Sequence, residues 1–196
     1  HGDEDLRSRQ QYADATELKD FTPTIDDDVA RFLKLLLHLL RATRVLEIGT
    51  SIGYSTFSMA QVVKDYHGQI VTIEFDEWVA EQARLNFERA GISDYVELRL
   101  GDAREIVPRL TGEFDLVFLD VDKHLYVPLL ADCLRLLRPG GILIADDTLF
   151  PAVELQPSWH HLKAPLEEFN RLMANQTEVA STILPIGDGV TIAVKK

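Results

Sequence analysis

The chain is expected to fold as an α/β protein: a seven-stranded, largely parallel sheet covered by helices on both faces. Three observations predict this. Short apolar runs alternate with amphipathic helical runs from Val45 onward. The connections between them are short, so sequential strands lie in one sheet with right-handed crossovers. A Gly187-Asp188-Gly189 turn near the end joins the last two strands as a hairpin, which makes the final strand antiparallel.

The elements follow in order. Residues 1–22 are polar and charged and read as an N-terminal arm, leaving 23–196 as a single domain. Asp26, Asp27 and Asp28 precede an apolar-rich helix over Val29–Leu40, where acids serve as N-cap and first-turn charges. Phe32, Leu33, Leu36, Leu37 and Leu40 make that helix apolar on more than one face, as in a buried or oligomer-forming element. Strand Val45–Ile48 leads to helix Ser55–Asp65, strand Gln69–Glu74 to helix Glu77–Ala90, and strand Val96–Leu100 to a helix over Ala103–Arg109. Strand Asp115–Leu119 precedes helix Tyr126–Leu137, which Arg138-Pro139-Gly140-Gly141 should end in a turn before strand Ile142–Ala145. A loop at Phe150–His161, helix Pro165–Asn175, strand Thr177–Leu184 and strand Val190–Val194 complete the chain.

Composition removes several classes of function. A net charge of -12 opposes nucleic acid as a partner, because phosphate binding needs a basic surface. No apolar run is long enough to span a membrane, and no signal-peptide pattern opens the chain. The one cysteine, Cys133, forms no internal disulfide and fits a reducing cytoplasm; its apolar helical surroundings mark it as core.

The most informative stretch is Arg44–Ser55, where an apolar strand breaks at Gly49 and Gly53 before the next helix begins. Glycines let backbone approach a ligand closely there. The spacing is not that of a dinucleotide turn, and Glu47 lies within it. Its carboxylate would repel a pyrophosphate and attract a ligand bearing sulfonium and ammonium groups, which indicates S-adenosylmethionine. In doubly wound sheets the ligand sits beyond the carboxyl ends of the strands. Acids cluster there. Glu74 ends the second strand, at the spacing of about 20 residues that suits an acceptor for ribose hydroxyls. Asp76 fits a helix cap, and Asp102, in Gly101-Asp102-Ala103, fits both a cap and a contact near an adenine ring. Asp120 ends the fourth strand, with Asp122 and Lys123 following, and Asp146 and Asp147 end the fifth. Carboxylates converging without a cation have raised pKa values; an all-oxygen set suits Mg²⁺, Mn²⁺ or Ca²⁺. Spacing alone leaves metal binding and loop capping both open. Neighbouring acids would hold Lys123 protonated, and a bound dication would lower its pKa toward proton abstraction.

These residues resemble class I S-adenosylmethionine-dependent methyltransferases, and within them the cation-dependent catechol and caffeoyl-CoA O-methyltransferase-like group. The resemblance rests on Val45–Ser55, Phe118–Lys123 with Tyr126, Ala145–Leu149 and Leu184–Gly189. It implies a Rossmann-like sheet of order 3-2-1-4-5-7-6 and a homodimer. Glu47, Gly49, Thr50, Gly53 and Ser55 would hold the methionine part of the cofactor, Glu74 the ribose and Ala103, beside Asp102, the adenine. Asp122 would lie near the methionine amino group, and Ile25 would offer backbone contacts. Asp120, Asp146 and Asp147 would bind the cation, with Lys123 as general base and Asp120 beside it in catalysis. The implied reaction methylates a hydroxyl of a small catechol-like or phenolic acceptor. A metal-independent methyltransferase and a cofactor-binding module without turnover are the rival readings. Two departures stand out: Asp147 occupies a position that is usually Asn, and Pro151 one where plant relatives place an Asn that touches substrate.

Overall fold

Near-continuous apolar runs, rather than alternating ones, mark strands buried on both faces, and these form the middle of the sheet. In the computed structural model, which describes residues 24–196, β1 (Arg44–Ile48), β4 (Phe114–Leu119) and the Ile142–Ala145 half of β5 (Leu137–Ala145) are buried almost throughout. Strands β2 (Gln69–Glu74), β3 (Val96–Leu100), β6 (Val179–Leu184) and β7 (Val190–Lys195) complete a seven-stranded sheet of order β3-β2-β1-β4-β5-β7-β6. Only β7 is reversed, antiparallel to both β5 and β6, while the other six strands share one direction. The half-exposed β3 and β6 are the edges. Both the fold class and the expected order hold. The expected N-terminal arm over residues 1–22 lies outside the described residues.

Two apolar layers sandwich the sheet. One face packs on α1 (Asp27–Leu40), α2 (Tyr54–Val63) and α3 (Glu77–Ala90) through Leu33, Met59 and Phe87. The other packs on α4 (Ala103–Ile106), α5 (Tyr126–Leu136) and α6 (Lys163–Ala174) through Ala103, Leu130 and Phe169. Cys133 is buried in this second layer, and burial pushes its thiol up to about 12. It is core, as expected.

Several element ends shift by one or two residues, as where α1 starts at Asp27 and β6 at Val179, and four segments differ in kind from expectation. Arg138–Gly141 does not separate helix from strand; β5 begins at Leu137, opposite Phe114, and the next four residues bulge out before Ile142 meets Leu116. Arg138 bonds Asp115, and Gly141 passes close to the Phe114 carbonyl, which holds the bulge against β4. The helix after β3 keeps only its first turn, then narrows to a 3-10 turn at Val107–Arg109, where Pro108 lacks an N–H. Helix α2 stops at Val63 and tightens into a 3-10 turn at Lys64–Tyr66. The Phe150–His161 segment holds two 3-10 turns, Phe150–Ala152 and Pro157–Leu162, each with a proline in its first turn.

Candidate active site

Beyond the carboxyl ends of β1, β2, β4 and β5 lies a cavity of about 620 Å³. Its β1–β3 side is lined by Gly49, Ser51, Glu74, Gly101, Asp102 and Ala103. Its other side is lined by Asp120, Asp122, Lys123, Asp146 and Asp147, and Ile25 also contributes to the wall. The sequence-predicted residues are therefore gathered into one crevice, with four exceptions. Glu47, Thr50, Gly53 and Ser55 lie behind the wall.

Glu47 shows why. Successive strand residues face opposite sides of the sheet. Glu47 pairs in register with Thr72, on the face that packs under α2. It is fully buried and accepts hydrogen bonds from Thr56 and from Thr72 (2.6 Å), while its Oε1 has no partner. Burial pushes its carboxyl up to about 7, which hydroxyls from Ser55, Thr56 and Thr72 only partly offset. Thr50 joins this network through the Thr72 hydroxyl at 2.6 Å. Gly53, in the left-handed region at φ 88, starts α2. The four residues brace the glycine turn from below.

Glu74 is held at the wall by backbone. Its carboxylate accepts from the N–H groups of Ser51 (2.9 Å), Phe75 (2.9 Å) and Asp76 (3.0 Å), so the ends of β1 and β2 share one acid. Asp76 caps α3 through the Val79 N–H at 3.0 Å. Asp102 both lines the cavity and caps α4 through the Arg104 N–H at 2.8 Å, and it pairs with the Arg104 guanidinium. Asp122 lines the cavity with its carboxylate 2.7 Å from His124 Nδ1.

The acids at the ends of β4 and β5 converge on Lys123. Its buried ammonium lies 2.8 Å from Asp120 Oδ1 and 2.7 Å from Asp147 Oδ2, and donates to the Tyr126 hydroxyl at 2.9 Å. Burial opposes the charge on Lys123, but the carboxylates outweigh it and hold the amine's pKa well above its ordinary value. Asp146, nearly fully buried, is pushed up to about 8 by burial and by the charges of Asp120 and Asp147. Asp147 is raised by burial first, with Lys123 opposing and Asp120 and Asp188 adding to it. Asp147 sits at φ 60, a left-handed conformation that Asp tolerates better than most residues. Among the described residues no three His, Cys, Asp or Glu side chains stand in a ready-made metal arrangement; the cation between Asp120 and Asp147 is the lysine's own.

The cavity also includes residues that sequence reasoning left unassigned: Asp26, Ser51, Phe150, Trp159, Leu162 and Asp188. Asp188 was legible as part of a turn, but its proximity to Asp147 follows from packing. The Thr148 and Leu149 N–H groups bond the Gly189 and Asp188 carbonyls at 2.8 and 3.1 Å, which clamps the hairpin turn against the end of β5.

A doubly wound seven-stranded sheet with its last strand reversed, and a crevice of acids around a glycine turn, defines a Rossmann-like methyltransferase fold. Comparison with known proteins agrees. The sequence model of the O-methyltransferase family matches residues 7–196. A catechol O-methyltransferase of Niastella koreensis is 34% identical over 183 residues, covering 88% of this chain and 82% of the relative. A caffeoyl-CoA O-methyltransferase of Populus kitakamiensis is 32% identical over 177 residues, 84% of this chain and 75% of that one. The crystal structure of the O-methyltransferase TomG from Streptomyces achromogenes, in complex with S-adenosylmethionine, superposes with a TM-score of 0.84 at 28% identity, covering 100% of this chain and 91% of TomG. The chain belongs to the O-methyltransferase family.

Proposed function

We propose that the protein transfers the methyl group of S-adenosylmethionine to a hydroxyl of a small catechol-like acceptor, assisted by a divalent cation. The observation that carries this reading is the convergence of Asp120, Lys123 and Asp147 in the same cavity as Gly49 and Glu74. The donor set fits both groups. A crevice lined by carboxylates suits a sulfonium and an ammonium and opposes a pyrophosphate. Asp120, Asp146 and Asp147 do not stand as a ready-made ligand set, but they are near enough for Asp146 and Asp147 to have raised pKa values, a charge conflict that a hard cation would relieve. Asp120, Asp146 and Asp147 would hold it. When bound, such a cation supplies charge that lowers the pKa of a nearby hydroxyl and of Lys123.

The chain's own residues do the rest. Glu74 binds the ribose end of the donor, and Gly49, Gly101 and Ala103 offer backbone at close range. With the cation in place Lys123 would release its ammonium proton to solvent, and its neutral Nζ would then take the acceptor's proton. The resulting oxyanion attacks the sulfonium methyl; the C–S pair leaves with sulfur, and the product cofactor is a neutral thioether. Positioning and charge stabilisation supply most of the acceleration. In a second reading Lys123 itself serves as the cation and no metal is needed; its ammonium between Asp120 and Asp147 favours that reading. Exposed Leu35 and Leu39, one turn apart on α1, support a homodimer surface, and the buried lone Cys133 is in keeping with a cytoplasmic setting.

Formation of S-adenosylhomocysteine is the assay, run with a panel of diphenols in excess Mg²⁺ or excess chelator. Turnover that disappears in chelator, and falls about a hundred-fold or more in Asp120→Ala, is expected. Full activity in chelator would select the metal-independent reading. No product with any diphenol would leave a binding module without turnover.

A further inference from the structure

The acceptor end of the cavity has a definite character of its own. The Phe150 and Trp159 rings lie 5.8 Å apart with planes tilted by 48°, and Leu162 continues this wall. Trp159 keeps 48% of its surface exposed, so one side of the indole is open. Its segment is pinned: the Trp159 N–H bonds the Gln156 carbonyl at 2.9 Å, His160 Nε2 donates to the Leu155 carbonyl at 2.9 Å, and Lys163 Nζ donates to the Val153 carbonyl at 2.6 Å. The electrostatics are one-sided. Eight carboxylates line the cavity, against two Lys or Arg side chains, Arg104 and Lys123. Both are already engaged, Arg104 by Asp102 and Lys123 by Asp120 and Asp147. His124 is held at Asp122, and Lys163, the nearest further lysine in sequence to the aromatic wall, is held at a carbonyl. A bound dication and the donor's single net positive charge offset only part of this. Asp188 leads the rim: it is exposed, it lines the cavity with its carbonyl bonded by the Leu149 N–H at 3.1 Å, and its carboxylate has no partner among the described residues.

We propose that this cavity selects planar vicinal diphenols that are uncharged or carry an ammonium group, stacked against Trp159, and that the rim carboxylate of Asp188 disfavours acceptors bearing carboxylate or phosphate. The proposal rests on the methyl-transfer reading and narrows it: a polyanionic thioester finds no unengaged Lys or Arg among the described residues that line the cavity, whereas a flat, small ring finds an open indole face. Trp78 and Trp159 are the only tryptophans, so in Trp78→Phe the emission reports Trp159 alone. Calorimetry and that emission would be recorded with Mg²⁺ for 4-methylcatechol, dopamine, 3,4-dihydroxybenzoate and caffeoyl-CoA, with and without S-adenosylhomocysteine. The first two should bind about ten-fold or more tightly than the last two and perturb Trp159, with Asp188→Asn closing much of the gap and Trp159→Ala weakening the neutral diphenol. Equal or tighter binding of the benzoate or the thioester would overturn the proposal, as would no binding of any diphenol or an unchanged affinity in Trp159→Ala. Affinity for S-adenosylhomocysteine, measured first, separates the two readings. A protein that ignores that cofactor product but still ranks the acceptors this way keeps the pocket assignment and loses methyl transfer.

Discussion

Gly49 shows how much one residue decides. At φ 102 it occupies backbone space that L side chains rarely enter, and a Cβ there would collide with the Asp120 carbonyl. Its N–H reaches the Ile73 carbonyl at 3.0 Å, and the Asp120 N–H reaches the Ile48 carbonyl at 3.0 Å, so the turn is stitched to strands on either side. The same peptide seam carries the Asp120 carboxylate that holds Lys123. Gly49→Ala should therefore cost about 2 kcal/mol or more of stability, since strain and a backbone clash act together. It should also weaken S-adenosylhomocysteine binding. Urea unfolding and calorimetry check the two effects, and an unshifted unfolding midpoint would show that the β1–β4 seam yields without cost.

Between elements, the Tyr126 hydroxyl is the joint. It lies 3.0 Å from the carbonyls of both Leu119 and Asp146, at the ends of β4 and β5, and accepts from Lys123. Its ring meets Phe169 of α6 edge-on at 5.2 Å. Tyr126→Phe should destabilise by about 1–2 kcal/mol, as buried carbonyls lose their donor. It should also lower kcat while the cofactor's KM stays near wild type, because Lys123 loses an orienting partner. A wild-type kcat in that variant would deny the hydroxyl any part in placing the lysine. Elements of this kind differ in how legible they are. The strands were readable because Val45–Ile48 or Ile142–Ala145 are apolar runs cut off by glycines and acids, a local signal. The strand order came from family resemblance, since no local pattern tells β7 to insert between β5 and β6. The bulge at 138–141 escaped because it depends on Asp115 and Phe114, some two dozen residues away. The Trp159 wall escaped for the same reason: Phe150 gives it a partner only after the two 3-10 turns have formed. The acids at strand ends were visible as a list, but not which of them face the cavity. For Glu47 strand parity carried that information, through its register with Thr72.

At the scale of the whole molecule, stability should vary with pH in a way that buried acids dictate. Glu47 has a carboxyl pushed from 4.5 up to about 7 by burial. A group whose folded pKa is raised favours the protonated folded form: its contribution is fully present below 4.5 and is lost as pH climbs through about 7. Asp146, raised to about 8, acts with the same sign in the cation-free protein. Asp115 acts oppositely. Although burial works against it, its bonds from Arg138, Thr43 and Arg44 lower its pKa, so its contribution is present above the unfolded value and fades on acidification. The sum is a protein most stable on the mildly acidic side of neutrality, and one substitution isolates the Glu47 share. Glu47→Gln retains an oxygen for the Thr56 and Thr72 hydroxyls and cannot ionise. The variant should be more stable than wild type by on the order of 2–3 kcal/mol at pH 8.5, with the advantage shrinking to under about 1 kcal/mol near pH 5. Urea unfolding of both proteins across that range, in chelator, gives the difference directly. A gap that stays constant with pH would mean that Glu47 is ionised in the folded protein throughout, and that its neighbours stabilise the charge far better than three hydroxyls should.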